Sequence, residues 1–389
     1  MNWVAVMGIL LGHMFVDMSQ NILPIVLPRL RELFSLSYTQ IALVVTVMNV
    51  TSSIIQPIFG FLYDRWQSTW LIAVGIIWTG LFLGLVGLAP NYGWLLACTA
   101  AAGIGTAAFH PAATMATSAA SGSRKAFGMS FFGIGGNLGF AIGPMVGALL
   151  VFLLGMPGLL FLLLPGIAAA LFVYRHRAMY TVPTLRPVAR RQLQGPTPAQ
   201  LFSLGALCVV IIVRSWAYMS FIVFLPHYFT NQGISTGATS VLVFVFLAAG
   251  AVGGFFGGHY SDRFGRRKFI IFPMMSYTPM MLLYLSSAGG WNIVLLALAG
   301  AFLLSSFSVT VVLAQEILPQ SPGLASGLSL GLSFGIGGLG VSLTGVIADA
   351  FSIQAALWLL AVVPFFAALL TLLIRTGERQ VLVPREAGA

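Results

Sequence analysis

Charge is scarce in this sequence, and acid is scarcest: eight Asp and Glu stand against 18 Lys and Arg in 389 residues. Charged residues make up 7% of the chain and hydrophobic ones 59%. A soluble domain carries about 25% charged and 45–50% apolar residues, so this balance excludes a soluble fold and points to a polytopic membrane protein. Cysteine is nearly absent. Cys98 and Cys208 both sit inside apolar runs and read as packing residues, with no disulfide expected. The net charge of +10 is not gathered into a basic stripe with interleaved aromatics, so nucleic acid is not an expected partner. A nucleotide-binding P-loop, a metal-ligand cluster and a Ser-His-Asp set are missing too. Neither an ATP-driven pump nor a membrane enzyme is expected, and no cofactor or metal.

What is present is a series of long apolar runs, unlike the short alternating strands of a barrel. A bilayer core of about 30 Å needs about 20 apolar residues per helix. The chain predicts spans at 3–28, 41–63, 70–89, 94–118, 127–152 and 157–175, then at 201–227, 237–261, 268–287, 291–315, 324–348 and 354–375. The first run is too long for a signal h-region and lacks a small-residue cleavage site, so it is expected to remain as the first span. The basic, Pro-containing stretch between the two sets divides the chain into a six-helix half at 1–175, a linker at 176–200, a second half at 201–375 and a tail at 376–389. The fold class expected is therefore all-α integral membrane, with twelve transmembrane helices in two pseudo-symmetric halves.

With the N-terminus inside, fifteen of the basic residues fall on cytoplasmic segments. These are Arg65; Arg124 and Lys125; Arg175, Arg177, Arg186, Arg190 and Arg191; Arg263, Arg266, Arg267 and Lys268; and Arg375, Arg379 and Arg385. Arg29 and Arg31 fall outside and Arg214 within the membrane. The positive-inside rule then predicts cytoplasmic termini in a bacterial-type inner membrane. The halves also repeat each other. GFLYDRW at 60–66 matches GHYSDRF at 258–264, and Pro28 matches Pro226, both at an offset of 198; AFGMSFFGIGGNLG at 126–139 resembles ASGLSLGLSFGIGGLG at 325–340.

Gly258-His-Tyr-Ser-Asp262-Arg263-Phe-Gly265-Arg266-Arg267-Lys268 resembles the loop 8–9 signature of the major facilitator superfamily. Gly60-x-x-x-Asp64-Arg65 is its loop 2–3 counterpart, with Gln67-Ser68-Thr69-Trp70 where the pattern favours Gly and basic residues. The resemblance covers almost the whole chain and implies transport by alternating access. Asp64, Arg65, Asp262, Arg263, Arg266 and Arg267 are then candidates for the cytoplasmic gate, with Glu316 beside it. Gly135-x-x-x-Gly139-x-x-x-Gly143-Pro144-x-x-Gly147 forms a smooth groove for close helix packing and resembles the helix 5 motif of proton-coupled drug exporters. Phe109-His110-Pro111, Arg214-Ser215-Trp216 with Leu225-Pro226, and Ala314-Gln315-Glu316-x-x-Pro319 resemble the fosmidomycin-resistance branch, which implies efflux of a small phosphonate.

Polar residues inside the spans carry the remaining reading. His13, Asp17 and Asn21 are spaced i, i+4, i+8 and share one face of the first helix. A carboxylate there must pair or become neutral, so Asp17, with His13 beside it, is the candidate proton carrier. Arg214 has the planar fork that suits phosphate or carboxylate. Tyr218 adds a hydroxyl one turn on, and His110 and Asn137 are further cavity candidates. The offset places Asp17 and Arg214 at nearly equal depth, so the two charges are expected to hold each other across the cavity until an anion arrives. Asp349 receives no role.

The reading that results is a proton-coupled antiporter exporting a small, anionic compound or drug, working as a monomer in the lipid bilayer. Proton-coupled uptake of an organic anion or sugar-like metabolite would use the same residues. A non-transporting receptor on the same fold would need no proton-carrying carboxyl.

Overall fold

A computed structural model describes residues 1–66, 69–122, 125–180, 196–287, 292–318 and 332–374, together with 325, 328 and 329. Among the described residues the secondary structure is entirely helical. In the first half lie α1 (Trp3–Phe34), α2 (Tyr38–Trp66), α3 (Trp70–Val86), α4 (Tyr92–Ser121), α5 (Lys125–Leu154) and α6 (Leu163–Arg175). The second half holds α7 (Pro198–Asn231), α8 (Thr236–Phe264), α9 (Lys268–Ser286), α10 (Asn292–Ser305), α11 (Phe307–Ile317), α12 (Gly337–Ala350) and α13 (Ile353–Leu370). Ten helical stretches among the described residues are long and apolar enough to cross a membrane, α10 and α11 together forming one and the 3-10 segment Met156–Leu162 with α6 another; α3 and α12 are shorter apolar helices. Large side chains such as Phe152, Phe255 and Phe351 stand out from the bundle, as a helix surface facing lipid requires.

The internal repeat is visible in the helix ends. α2 and α8 are each 29 residues long. Tyr38 and Thr236 start them, Trp66 and Phe264 end them, and Trp70 and Lys268 start the next helices, each pair 198 apart. Polar caps set several starts: Asn2, Asn91, Ser235 and Ser352 accept from backbone N–H groups of their first turns. Thr197 and Gln200 form a capping box before Pro198, so α7 begins inside the stretch expected to be linker. Arg177–Tyr180 forms a 3-10 turn in that same stretch, and the rest of it, 181–195, lies outside the described residues, as does the tail.

Three spans differ from their expected outlines. α1 runs through Pro24 and Pro28 to Phe34, with Arg29 and Glu32 paired at 3.2 Å on its exposed face. It stops where Ser35 turns into the left-handed region at φ 51. The tenth span breaks between α10 and α11, where the Ser305 and Ser306 hydroxyls donate back to the carbonyls of Phe302 and Leu303. Before α12 the chain winds one π-type turn, Leu332–Ile336; such turns recur at functional sites.

The two ends of the bundle are built differently. One large apolar core draws on both halves, with Leu27, Leu30, Val44 and Val45 packed together with Phe224, Leu225, Phe246 and Leu357. It occupies the end away from the chain termini, called here the far end. Towards the termini each half keeps its own smaller core, one around Ile9, Ile72, Phe109 and Val173 and one around Leu207, Ile270, Leu313 and Ala368. Hydrogen bonds between halves cluster on the first turns of α2: Thr46 donates to the Gly338 carbonyl at 2.8 Å, and Asn49 reaches Met219 Sδ at 3.6 Å.

Candidate functional site

The glycine groove on α5 determines how α1 lies. A Cβ on Gly135 would come within 2.5 Å of the Leu10 carbonyl oxygen, and one on Gly143 within 2.6 Å of that of Met18. At Gly139 it would collide with the Met14 carbonyl, and at Gly147 it would meet Ile22 Cγ2 at 2.8 Å. The four contacts share one register, each α5 residue sitting 125 positions after its α1 partner. Pro144 lies buried within the continuous helix α5.

This contact presents the His13–Asp17–Asn21 face to α5. His13 Nδ1 donates to the Phe132 carbonyl at 2.7 Å and Asn21 Nδ2 to the Phe140 carbonyl at 2.5 Å, both 119 positions on. At the matching level of Asp17 stands Gly136, whose missing side chain leaves room for the carboxylate. His13 Nε2 lies 3.2 Å from Asp17 Oδ2, and His110 Nε2, from α4, lies 3.6 Å from Asp17 Oδ1. The His13 ring stacks on Phe132 at 3.8 Å and meets His110 edge-on at 5.2 Å. Asp17 is 5% exposed.

The proton inventory of this cluster follows from its geometry. A backbone carbonyl only accepts, so the Phe132 bond holds a proton on His13 Nδ1. His13 Nε2 and Asp17 Oδ2 then face each other with one labile proton between them. With it, the pair is net neutral in either arrangement; without it, a buried negative charge remains. The ligand-type atoms of His13, Asp17 and His110 all lie within 4.8 Å of one another, so these are also the described residues that could gather round a cation.

Gly136→Ala tests this arrangement. Its Cβ would lie 2.6 Å from His13 Cε1, 2.7 Å from Asp17 Oδ2 and 2.8 Å from His13 Nε2. The crowding costs about 1–3 kcal/mol and pushes the proton-sharing atoms apart. The melting temperature of the purified protein should fall accordingly, whereas Gly133→Ala, whose Cβ meets nothing within 4 Å, should not lower it.

Arg214 lies in the second half and is 1% exposed. Its NH1 donates to Thr310 Oγ1 at 3.3 Å, and its NH2 to Ser215 Oγ and Ser333 Oγ, both at 3.2 Å. The Thr310 hydroxyl donates to the Phe307 carbonyl and the Ser333 hydroxyl to the Ser329 carbonyl, each at 2.8 Å. Their protons are thus committed to helix backbone and their lone pairs turned to the guanidinium. The Phe307 ring lies 4.8 Å below Arg214 Cζ. Ser333 sits in the π-type turn and Thr310 just past the break between α10 and α11, so both irregularities serve this cradle.

The expected contact between Asp17 and Arg214 is not made in this conformation. Asp17 is held by histidines of the first half and Arg214 by hydroxyls of the second. The repeat offset fixes depth along a helix but not the direction in which a side chain leaves it. Tyr218 lies half-buried on α7, one turn after Arg214. Asn137 is exposed on α5, one position beyond Gly136.

At the end holding the termini, Arg266 Nε donates to Glu316 Oε1 at 3.1 Å and its NH1 to Ser261 Oγ at 2.6 Å. Arg267 NH2 donates to the Leu372 carbonyl at 2.7 Å. These bonds join elements of the second half to one another. Gly265, at φ 97, makes the turn that presents both arginines, a backbone angle a side chain would resist. Arg263 is exposed, its guanidinium 5.7 Å from the Phe264 ring. The side chains of Asp64, Arg65 and Asp262 lie outside the described residues.

Asp349 is a residue that sequence reasoning passed over. Its carboxylate accepts from the backbone N–H groups of Tyr38 and Thr39 at 2.7 and 2.8 Å and from the Thr39 hydroxyl at 2.6 Å. The available signal was its rarity: it is one of eight acids and stands at a helix end facing the start of another helix.

Known proteins share both sequence and fold with this chain. It is 30% identical to the fosmidomycin resistance protein of Escherichia coli (strain K12), covering 93% of this chain and 90% of that protein. It is 32% identical to the Uncharacterized MFS-type transporter YfnC of Bacillus subtilis (strain 168), with the same coverage. A bacterial homolog of the human lysosomal transporter Spinster, solved in an inward-facing and occupied conformation, superposes with a TM-score of 0.80 at 17% identity, covering 95% of this chain and 96% of that one. The sequence model of the Major Facilitator Superfamily matches residues 9–208 and again 207–388. With the twelve-helix, two-half architecture, these matches show that the chain is a multi-pass membrane protein belonging to the Major Facilitator Superfamily, similar within it to the fosmidomycin-resistance branch.

Proposed function

We propose that this transporter exports a small anionic compound, of phosphonate or carboxylate type, in exchange for protons. The halves 1–175 and 201–375 rock about the central site as a monomer, with both termini in the cytoplasm of a bacterial-type cell. The observation that carries the anion is Arg214: a buried guanidinium that donates to three neutral hydroxyls. Among the described residues no carboxylate lies within ion-pair distance of it. A buried cation is stabilised by a counter-charge, and a bound anion would supply one. The His13–Asp17 pair is the proposed proton carrier, and Tyr218, one turn after Arg214 on α7, a proposed substrate contact. Similarity to a resistance protein supports the outward direction.

Proton-coupled uptake is favoured by one observation, the count of buried charge. With its labile proton lost, the cluster is negative and balances Arg214; with it, one positive charge is left for an anion to balance. Proton and anion would then bind together. Proton movement on binding separates the readings. An organic phosphonate added to the purified transporter in weakly buffered solution should release protons if the two compete. Uptake of protons on binding would replace export with uptake.

A further inference from the structure

Tyr38 and Thr39 begin α2 in the first half, and Asp349 ends α12 in the second. The first N–H groups of a helix have no partner within it and carry the positive end of its dipole. Asp349 satisfies two of them from the other half, with the Thr39 hydroxyl as a third donor. Tyr38 is tied to the second half again at its hydroxyl, which accepts from Asn231 Nδ2 at 2.9 Å. The Arg31 guanidinium lies over its ring at 4.1 Å.

α2 also has a cap of its own. Gln40 N–H donates to Ser37 Oγ at 3.1 Å, and Ser37 N–H donates to Gln40 Oε1 at 2.9 Å. This box serves the donors that Asp349 does not. When the far ends of the halves separate, the Tyr38 and Thr39 N–H groups pass to water while the box keeps the first turn wound. The helix start thus contains one permanent cap and one that belongs to the other half.

We propose that Asp349 is the latch of the far mouth: its carboxylate holds that end shut by capping α2 across the interface, and lets go when the mouth opens. This goes beyond the proposed function and depends on neither substrate nor direction.

The test is a distance measurement across the mouth by pulsed electron paramagnetic resonance. Spin labels are placed by Pro90→Cys and Gln232→Cys, both exposed far-end positions in opposite halves, in full-length protein carrying Cys98→Ala and Cys208→Ala. Asp349→Asn should raise the ratio of long to short distances roughly threefold to tenfold, the range of a lost cap. Gln40→Ala, which cuts the Ser37 N–H to Gln40 Oε1 bond of α2's own box and leaves the donors on Asp349 in place, should leave the ratio unchanged. If Asp349→Asn gives too little folded protein, Thr39→Val should shift the ratio the same way by less. An unchanged distribution in the Asp349 or Thr39 variant overturns the latch. So does an equal shift in Gln40→Ala, which would trace the effect to fraying of α2.

Discussion

Asp17→Asn should abolish proton-driven transport while leaving substrate binding and exchange in place. The substitution keeps the size of the side chain, so the space beside Gly136 stays filled and α1 stays seated on α5. What it removes is the anion. His13 Nδ1 keeps its proton through the Phe132 carbonyl, and Nε2, 3.2 Å from the substituted group, can accept from the new amide. The labile proton then has no negative partner, and a lone imidazolium in this buried place is disfavoured. In vesicles with an imposed pH gradient, net driven flux should drop to leakage. Counterflow with substrate on both sides needs no proton step and should persist within about threefold, since the Arg214 cradle is untouched. Driven flux that survives the substitution would remove Asp17 from the coupling step and leave His13–Asp17–His110 as a static packing device.

The fold was legible because the bilayer imposes its own grammar: long apolar runs, basic residues on one side, and a duplicated unit whose offset of 198 reappears in helix starts. Span ends were less legible. Pro28 followed by Arg29 looks like a stop, yet a proline within a helix is tolerated where its neighbours take up the freed carbonyl, and the Arg29–Glu32 pair suits an exposed last turn. The His13–Asp17–Asn21 face could be read from a period of 3.6. Its partners could not, because Phe132, Phe140 and Gly136 contribute backbone carbonyls and an absence of side chain, and His110 arrives only by tertiary docking. Asp349 escaped for the same reason. Two of its three partners are main-chain donors about 310 positions away, which any residue except proline would provide.

The two charged sites divide the work by half. Each draws its partners from its own half, the acid from His13, His110 and Gln20 and the base from three hydroxyls, so no contact between the halves holds either charge in this conformation. That suits a machine whose halves must part and meet again. A direct ion pair between Asp17 and Arg214 would have to be broken at every opening, and a buried pair with one member removed costs about 3–5 kcal/mol.

Arg214→Lys should weaken anion binding roughly tenfold to a hundredfold, the equivalent of about 1.5–3 kcal/mol for charge-assisted hydrogen bonds, with little effect on neutral ligands. Charge is conserved in this substitution, so a simple requirement for a cation would be met. The planar fork is lost. Arg214 spreads its donors over Thr310, Ser215 and Ser333 on three separate elements while lying over Phe307. A lysine ammonium offers a single point of attachment and cannot both stay on the hydroxyls and grip two oxygens of an anion. Arg214→Gln removes the charge as well and should reduce anion affinity further, to the level of neutral analogues. Isothermal titration with matched anionic and neutral ligands reads the difference directly. If Arg214→Lys weakens both classes equally, the guanidinium is a structural strut of the second half, and anion recognition must be sought elsewhere in the cavity.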